Sequence, residues 1–429
     1  MIIKEKCSCN SFLRDDEFSA LLDDALNILD FKDKRVLAII PDGTRSGPTS
    51  LVFNTILRSL YGKTKKIDFM IALGTHPVMN SECLEKLIGM SCNQLQSEFY
   101  KSVLYQHCWD DQESIIHIGT IKAKEIFEIS GGLLNEDIPV TVNRTILDYD
   151  RLILAGPVFP HEVVGFSGGF KYLFPGVSGP HFLHKFHWLG ALITNPKING
   201  IKNTPVREAI NKAVSFIEKP ITQICYVVKD KKVFGLFIGD NEAWASAADL
   251  SANLNIQYVE KSYKTVLSMA PLMYDDIWTA GKCMYKLEPV VADGGTLIIY
   301  APHITEVSYT HGKYIKQIGY HTRDYFVKQW EKFKDFPGGI LAHCTHVKGI
   351  GTFINGKEKP RINVILATRI PEIVCKQINL GYLNPDTIDI EEFSKKDDVL
   401  VVRDAGEVLF RLKNGHVPDI DKLYENQNE

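Results

Sequence analysis

The sequence has no marked excess of charge of either sign, no apolar run of membrane-spanning length and no regular cysteine pattern, and each absence removes a class of protein. Lys and Arg total 49 against 52 Asp and Glu, 49 − 52 = −3. Such a near-neutral field is not that of a nucleic-acid-binding surface, so anionic small molecules must be captured locally. The opening MIIKEKCSCNSFLRDDEF carries charge where a secretory leader has an apolar centre. Nowhere do apolar residues run on for the roughly 20 positions that a membrane helix needs. The expectation is a cytoplasmic protein with no nucleic-acid and no membrane partner. The nine cysteines are odd in number and scattered, which argues against a disulfide framework. Cys7 and Cys9 form the one tight pair; with no second pair at ligand spacing they read as two reduced thiols near a mobile terminus. Internal repeats and low-complexity tracts are also missing.

What is present is the balance of a globular protein, 45% hydrophobic and 24% charged. A chain of 429 residues exceeds what one ordinary core fills, which predicts two lobes. Short β-rich runs alternate with segments of helical period, the pattern of an α/β fold with largely parallel sheets. Residues 36–40, 67–73 and 152–155 read as early strands, and 265–270, 296–301, 363–368 and 399–402 as a second set, with a helix over 274–291. The division falls near 255–265. It gives an N-terminal catalytic and cofactor-binding domain, 1–258, to which the tail 405–429 returns, and a C-terminal domain, 259–404, that closes on substrate across a cleft.

In open α/β sheets ligands bind at the carboxyl ends of strands, so the residues that follow each strand are the ones to read. After 36–40 comes Pro41-Asp42-Gly43-Thr44-Arg45-Ser46-Gly47-Pro48, leading into a helix near Thr49. A helix N-terminus with the Thr44 hydroxyl and the Arg45 fork suits a phosphate or carboxylate. A turn in which Asp42 caps the backbone and pairs with Arg45 fits equally well. After 67–73 comes Gly74-Thr75-His76-Pro77, and after 152–155 comes Gly156-Pro157-Val158-Phe159-Pro160-His161, two histidines just past strand ends. The chain then runs through Gly165-Phe166-Ser167-Gly168-Gly169-Phe170-Lys171. Glycines let a backbone approach a flat or charged ligand, and a lysine among aromatic and apolar neighbours is a candidate nucleophile. His181, His184 and His187 recur every third residue, so on a helix only one or two face the same pocket. His343, His346, His303 and His311 invite a second metal site, but structural roles fit them better, and Cys344 with them.

The Asp42-Gly43-Thr44-Arg45 turn, the Gly-x-His at His76, and the passage from His161 through Gly168-Gly169-Phe170-Lys171 to His187 resemble, in order and spacing, the nickel-dependent lactate racemase family. The resemblance implies a nickel-pincer nucleotide, a pyridinium mononucleotide bearing two sulfur-containing substituents. Lys171 would attach it covalently and His187 would complete a square-planar nickel site, a geometry that suits Ni(II). Asp42, Thr44, Arg45, Gly168 and Gly169 would hold the cofactor. His76 and His161 would be the two acid/base catalysts of a 2-hydroxyacid racemase or epimerase working by reversible hydride transfer. In the second domain Lys282 would hold the substrate carboxylate, with Arg45, Trp278 and Thr279 nearby; positions 278, 279 and 282 share a helix face. The lactate-specific pattern has Tyr-Gln where Trp278-Thr279 stand, which implies a 2-hydroxyacid larger than lactate, such as a sugar acid. Two other readings compete: a zinc hydrolase or lyase built on His76, His161 and His187, which leaves Lys171 without a task, and a non-catalytic hydroxyacid-binding protein. A homo-oligomer is compatible with the sequence.

Overall fold

The computed structural model describes residues 1–425 as a mixed α/β protein whose sheet strands are mostly parallel, the fold class expected. The chain divides into two compact units. The first comprises Met1–Phe159, Phe166–Leu183 and Lys202–Leu254; the second comprises Pro160–Gly165, His184–Ile201 and, of the described residues, 255–425. This differs from a single cut at 258. The early stretches of the second unit are tied into it by side chains: Asn195 Nδ2 donates to the Tyr285 carbonyl at 2.9 Å, and Arg323 donates to the Leu192 carbonyl at 2.9 Å. The described part of the tail, 405–425, also differs from expectation, because it packs within the second unit; 426–429 lie outside the described residues. Leu409–Leu412 pairs in parallel with Ile256–Val259, and Asp419 pairs with Lys197 at 2.7 Å.

The sheet of the first unit contains β1 (Ile2–Cys7), β2 (Arg35–Pro41), β3 (Lys66–Ala72), β4 (Leu104–Gln106), β5 (Arg151–Pro157), β6 (Ile221–Lys229) and β7 (Lys232–Gly239). Their spatial order is β1-β7-β6-β5-β2-β3-β4. Strands β6, β5, β2, β3 and β4 are parallel, and β7 and β1 run antiparallel at one edge. The central β2 and β5 are almost continuously apolar because both faces are covered. Helices α1 (Asp15–Ile28) and α2 (Thr49–Leu60) supply one cover: Phe18, Leu22, Leu26, Val52, Phe53 and Ile56 pack with Val36, Ala38 and Phe69. The buried positions of α1 fall four and eight apart, one helical face. The N-terminal segment read as mobile is the edge strand β1, with Cys7 at its end; all nine cysteines are free thiols.

The second unit has five parallel strands, β8 (Tyr263–Met269), β9 (Val291–Ala301), β10 (Asn363–Thr368), β11 (Gly381–Tyr382) and β12 (Val399–Val402), in the order β11-β10-β9-β8-β12. The helix expected over 274–291 is instead two single turns, Ile277–Ala280 and Lys282–Tyr285, and a 3-10 turn, Glu288–Val290, before β9 begins. Gly281 separates the turns where a side chain would collide with Val347, and Pro289 removes a backbone donor.

Each sheet has a topological switch point. In the first, the chain moves from β2 to β3 and β4 on one side and then returns to β5 on the other. In the second, it moves from β8 to β9, β10 and β11, and then returns to β12 on the far side of β8. Ligand sites of open α/β sheets form beyond the carboxyl ends of the strands at such points.

Candidate active site

Register brings the first pair of functional side chains together. Pro41 of β2 stands opposite Ala72 of β3, so the turns that follow, with Asp42 in one and His76 in the other, leave the sheet side by side. Asp42 is buried. Its Oδ1 accepts from the Thr44 backbone amide at 3.1 Å and from the Thr44 hydroxyl at 2.7 Å, while its Oδ2 meets His76 Nδ1. Burial alone would push the Asp42 carboxyl up, but His76 and Thr44 outweigh it and hold the group well below the ordinary carboxylate range. An ionised carboxylate only accepts, so it fixes the proton of neutral His76 on Nδ1 and leaves the Nε2 lone pair to act as a base. Asp42 was expected as a cofactor-binding turn residue; the structure gives it His76 as a partner. That pairing was not legible in the sequence, because it depends on β2 and β3 being neighbours.

Thr44 and Arg45, half-buried, continue this turn toward the N-terminus of α2, whose cap residue, Pro48, makes no side-chain hydrogen bond to the first turn. Backbone amide donors at a helix N-terminus favour an anion.

Lys171 lies half-buried on a 3-10 turn, Gly169–Tyr172. Gly168 and Gly169 have φ of 80° and 59°, and a Cβ at Gly169 would lie 2.3 Å from Gln223 Oε1. These glycines let the turn nest against its own unit. Trp244 Nε1 donates to the Ser167 carbonyl at 2.9 Å, the Ser167 hydroxyl donates to the Pro157 carbonyl at 3.2 Å, and Arg207 donates to the Phe166 carbonyl. Tyr172 lies over Gly156, the place where a Cβ would otherwise stand, and feels the charges of Arg45 and Asp42. Two backbone hydrogen bonds join the lysine turn to the His76 loop: Gly176 donates to the Lys171 carbonyl and accepts from Gly74, each at 3.0 Å. Asp42, Thr44, Arg45, His76, Gly168, Gly169 and Lys171 all belong to the first unit.

The remaining candidates belong to the second unit. His161 is buried; its Nδ1 lies 3.1 Å from the Val163 amide and 3.3 Å from Glu162 Oε2. On helix α3 (Pro180–Ile193), His181 is exposed whereas His184 and His187 are half-buried. Trp278 stacks on His343 at 4.2 Å and tilts against His311 at 4.3 Å. The Thr279 hydroxyl donates at 3.1 Å to Oδ1 of Asp276, the capping carboxylate that also accepts from the Thr279 amide at 2.9 Å. Buried Lys282 lies 4.6 Å over the Tyr274 ring, just beyond the carboxyl end of β8. His303 and His343 donate to the carbonyls of Tyr274 and Trp278, the structural roles expected of them. Among the described residues no three His, Cys, Asp or Glu side chains are grouped to hold a metal ion. No helix among them is long and apolar enough to cross a membrane.

A carboxylate-oriented imidazole and a lysine turn bonded to the same loop, at the switch point of a parallel sheet, make the first unit an α/β domain equipped for acid/base chemistry. Residues 21–199 match the family model described as the lactate racemase N-terminal domain. The chain is 25% identical over 278 residues to the lactate racemase of Lactiplantibacillus plantarum, and 21% identical over 274 residues to that of Thermoanaerobacterium thermosaccharolyticum. Each alignment covers 62% of this chain, and 59% and 60% of the respective relative. A crystal structure of a protein from Thermotoga maritima matches with a TM-score of 0.86 and 34% identity, covering 94% of this chain and 99% of that one. The lactate racemase apoprotein from T. thermosaccharolyticum has the same fold, with a TM-score of 0.68 and 19% identity over 89% of this chain and 87% of that one. Over residues 21–199, and over the 62% of the chain that aligns with them, the protein is similar to lactate racemases, of whose length it spans about 60%.

Proposed function

We propose that the protein racemises or epimerises a 2-hydroxyacid with the help of a nickel-pincer nucleotide carried on Lys171. The observation that carries this reading is the Asp42–His76 pair, tied through Gly176 to the turn that presents a primary amine. The residues present fit the cofactor by their chemistry. Lys171 supplies an amine for a covalent thioamide link, the N-terminus of α2 with Thr44 and Arg45 suits the phosphate, and the His187 imidazole is a donor that suits nickel. When bound, the cofactor supplies reversible acceptance of a hydride from the substrate α-carbon.

The chain's own residues manage the protons. His76, held by Asp42 with Nε2 unprotonated, takes the proton of the substrate hydroxyl in one direction; His161 serves the opposite face. Inverting a stereocentre requires one such base for each face. Lys282 offers its ammonium to the substrate carboxylate. Trp278 supplies a rigid aromatic wall, because His343 and His311 fix its ring. With the Thr279 hydroxyl committed to Asp276, this segment presents less polar reach than a glutamine would, in keeping with a substrate bulkier than lactate.

The test is the intact mass of protein made in cells that can synthesise the cofactor, compared with protein from cells that cannot. An adduct is expected only in the first, lost in Lys171→Ala and retained in His76→Ala, which binds cofactor but does not turn over. An adduct that survives Lys171→Ala overturns the assignment. Zinc without an adduct would support a hydrolase instead, and neither metal nor adduct would support a binding protein.

A further inference from the structure

His107, which follows β4, is completely buried and takes no part in the chemistry proposed above. Both of its ring nitrogens are engaged. Nε2 lies 3.0 Å from the Ser178 carbonyl, which only accepts, so Nε2 carries the proton. Nδ1 lies 3.3 Å from Asn143 Nδ2, which only donates, so Nδ1 is the acceptor. The Asn143 amide is itself oriented, because its Oδ1 accepts from the Thr145 amide at 3.0 Å. Burial lowers the His107 pKa to about 4, against the opposing pull of the Ser178 carbonyl and of Asp110, so the ring is neutral at physiological pH.

Ser178 ends the segment that connects the two halves of the first unit's site. Asn143 also donates its backbone amide to the Val177 carbonyl at 2.9 Å, and Gly176 carries the two bonds to Gly74 and Lys171. We infer that His107 is a positioning residue: a neutral imidazole that clamps residues 176–178 and thereby sets the His76 loop and the Lys171 turn relative to one another. This rests on the proposed function for its catalytic meaning, but its mechanical content stands on the hydrogen bonds alone. An apolar residue at 107 would leave a buried carbonyl and a buried amide unpaired, whereas glutamine can donate to Ser178 and accept from Asn143.

The experiment compares His107→Leu, Asn143→Ala and His107→Gln with the parent by hydrogen exchange and, in a cofactor-competent host, by adduct mass per folded protein. Exchange in peptides that contain Gly74 and Gly176 should quicken about tenfold in His107→Leu and Asn143→Ala, the effect of losing one buried hydrogen bond, while peptides from β8 to β10 keep parental rates. Adduct yield should fall in parallel, and His107→Gln should restore both. Should His107→Leu fail to fold, Asn143→Ala carries the comparison. Parental exchange at Gly74 and Gly176 in the folded variants overturns the inference, as does a His107→Gln variant no better than the apolar one. A parent without any adduct refutes the proposed function alone, and the exchange rates still decide the role of His107.

Discussion

Replacing Asp42 by asparagine keeps the outline of the side chain and removes its charge. The Oδ1 atom can still accept from the Thr44 amide and hydroxyl, at 3.1 and 2.7 Å in the parent. That orientation turns the new Nδ2 toward His76. Two N–H groups then oppose each other unless the imidazole moves its proton to Nε2, the position from which it would otherwise accept the substrate proton. The loss of a charge-assisted hydrogen bond costs about 1.5–3 kcal/mol of stability. The tautomer shift is the larger effect on turnover; by analogy with the same exchange in serine proteases, kcat should fall on the order of 10²–10⁴-fold. The contribution of ionised Asp42 to stability is complete above the ordinary carboxylate range and drains away as pH falls from that range through its lower folded pKa; the variant should lack that acid-dependent part. The assay measures adduct mass, thermal unfolding and loss of optical purity of a 2-hydroxyacid on one preparation. An Asp42→Asn enzyme with full adduct and kcat within about threefold of the parent would refute the reasoning.

Three further outcomes follow from the geometry. Burial lowers His343 to about 3 and His346 to about 4, so the stability they contribute is complete above about pH 6.5 and drains away as pH falls toward those values; denaturant midpoints from pH 8 down to 4.5 should decline, and a flat profile would contradict it. Gly169→Ala forces a Cβ against Gln223 and Trp244 at positive φ and should cost about 2 kcal/mol or more, read as a lowered Tm; an unchanged Tm would show that the turn does not need its nested seat. The double change Trp278→Tyr with Thr279→Gln should shift kcat/KM toward lactate over bulkier hydroxyacids by about tenfold or more, measured on a substrate panel, and no shift would remove this segment from the specificity site.

Strands were legible wherever apolar runs exceeded what a loop tolerates. The readings at 363–368 and 399–402 coincide with β10 and β12, and those at 36–40 and 67–73 differ from β2 and β3 only at the ends. The segment 274–291 misled because its apolar spacing is helical only over single turns, while Pro289 and the 3-10 turn Glu288–Val290 end the helical stretch before β9 begins. Strand β1 was hidden because its partner, β7, lies more than 200 residues away and its charged residues resemble those of a tail. At the site, residue types were readable from strand ends and glycine spacing. Partnerships were not: the link of Asp42 to His76 comes from strand order, and those of His107 to Ser178 and Asn143 join segments far apart in the chain.

The phenol of Tyr172 occupies the space beside Gly156, on the strand that precedes His161 in sequence. A single methyl at that position would evict the ring and carry the neighbouring amine with it. Position 156 should therefore behave as intolerant in any mutational survey even if it never touches a ligand. A library restricted to pocket-lining positions would pass over one of the surest ways to silence the proposed activity.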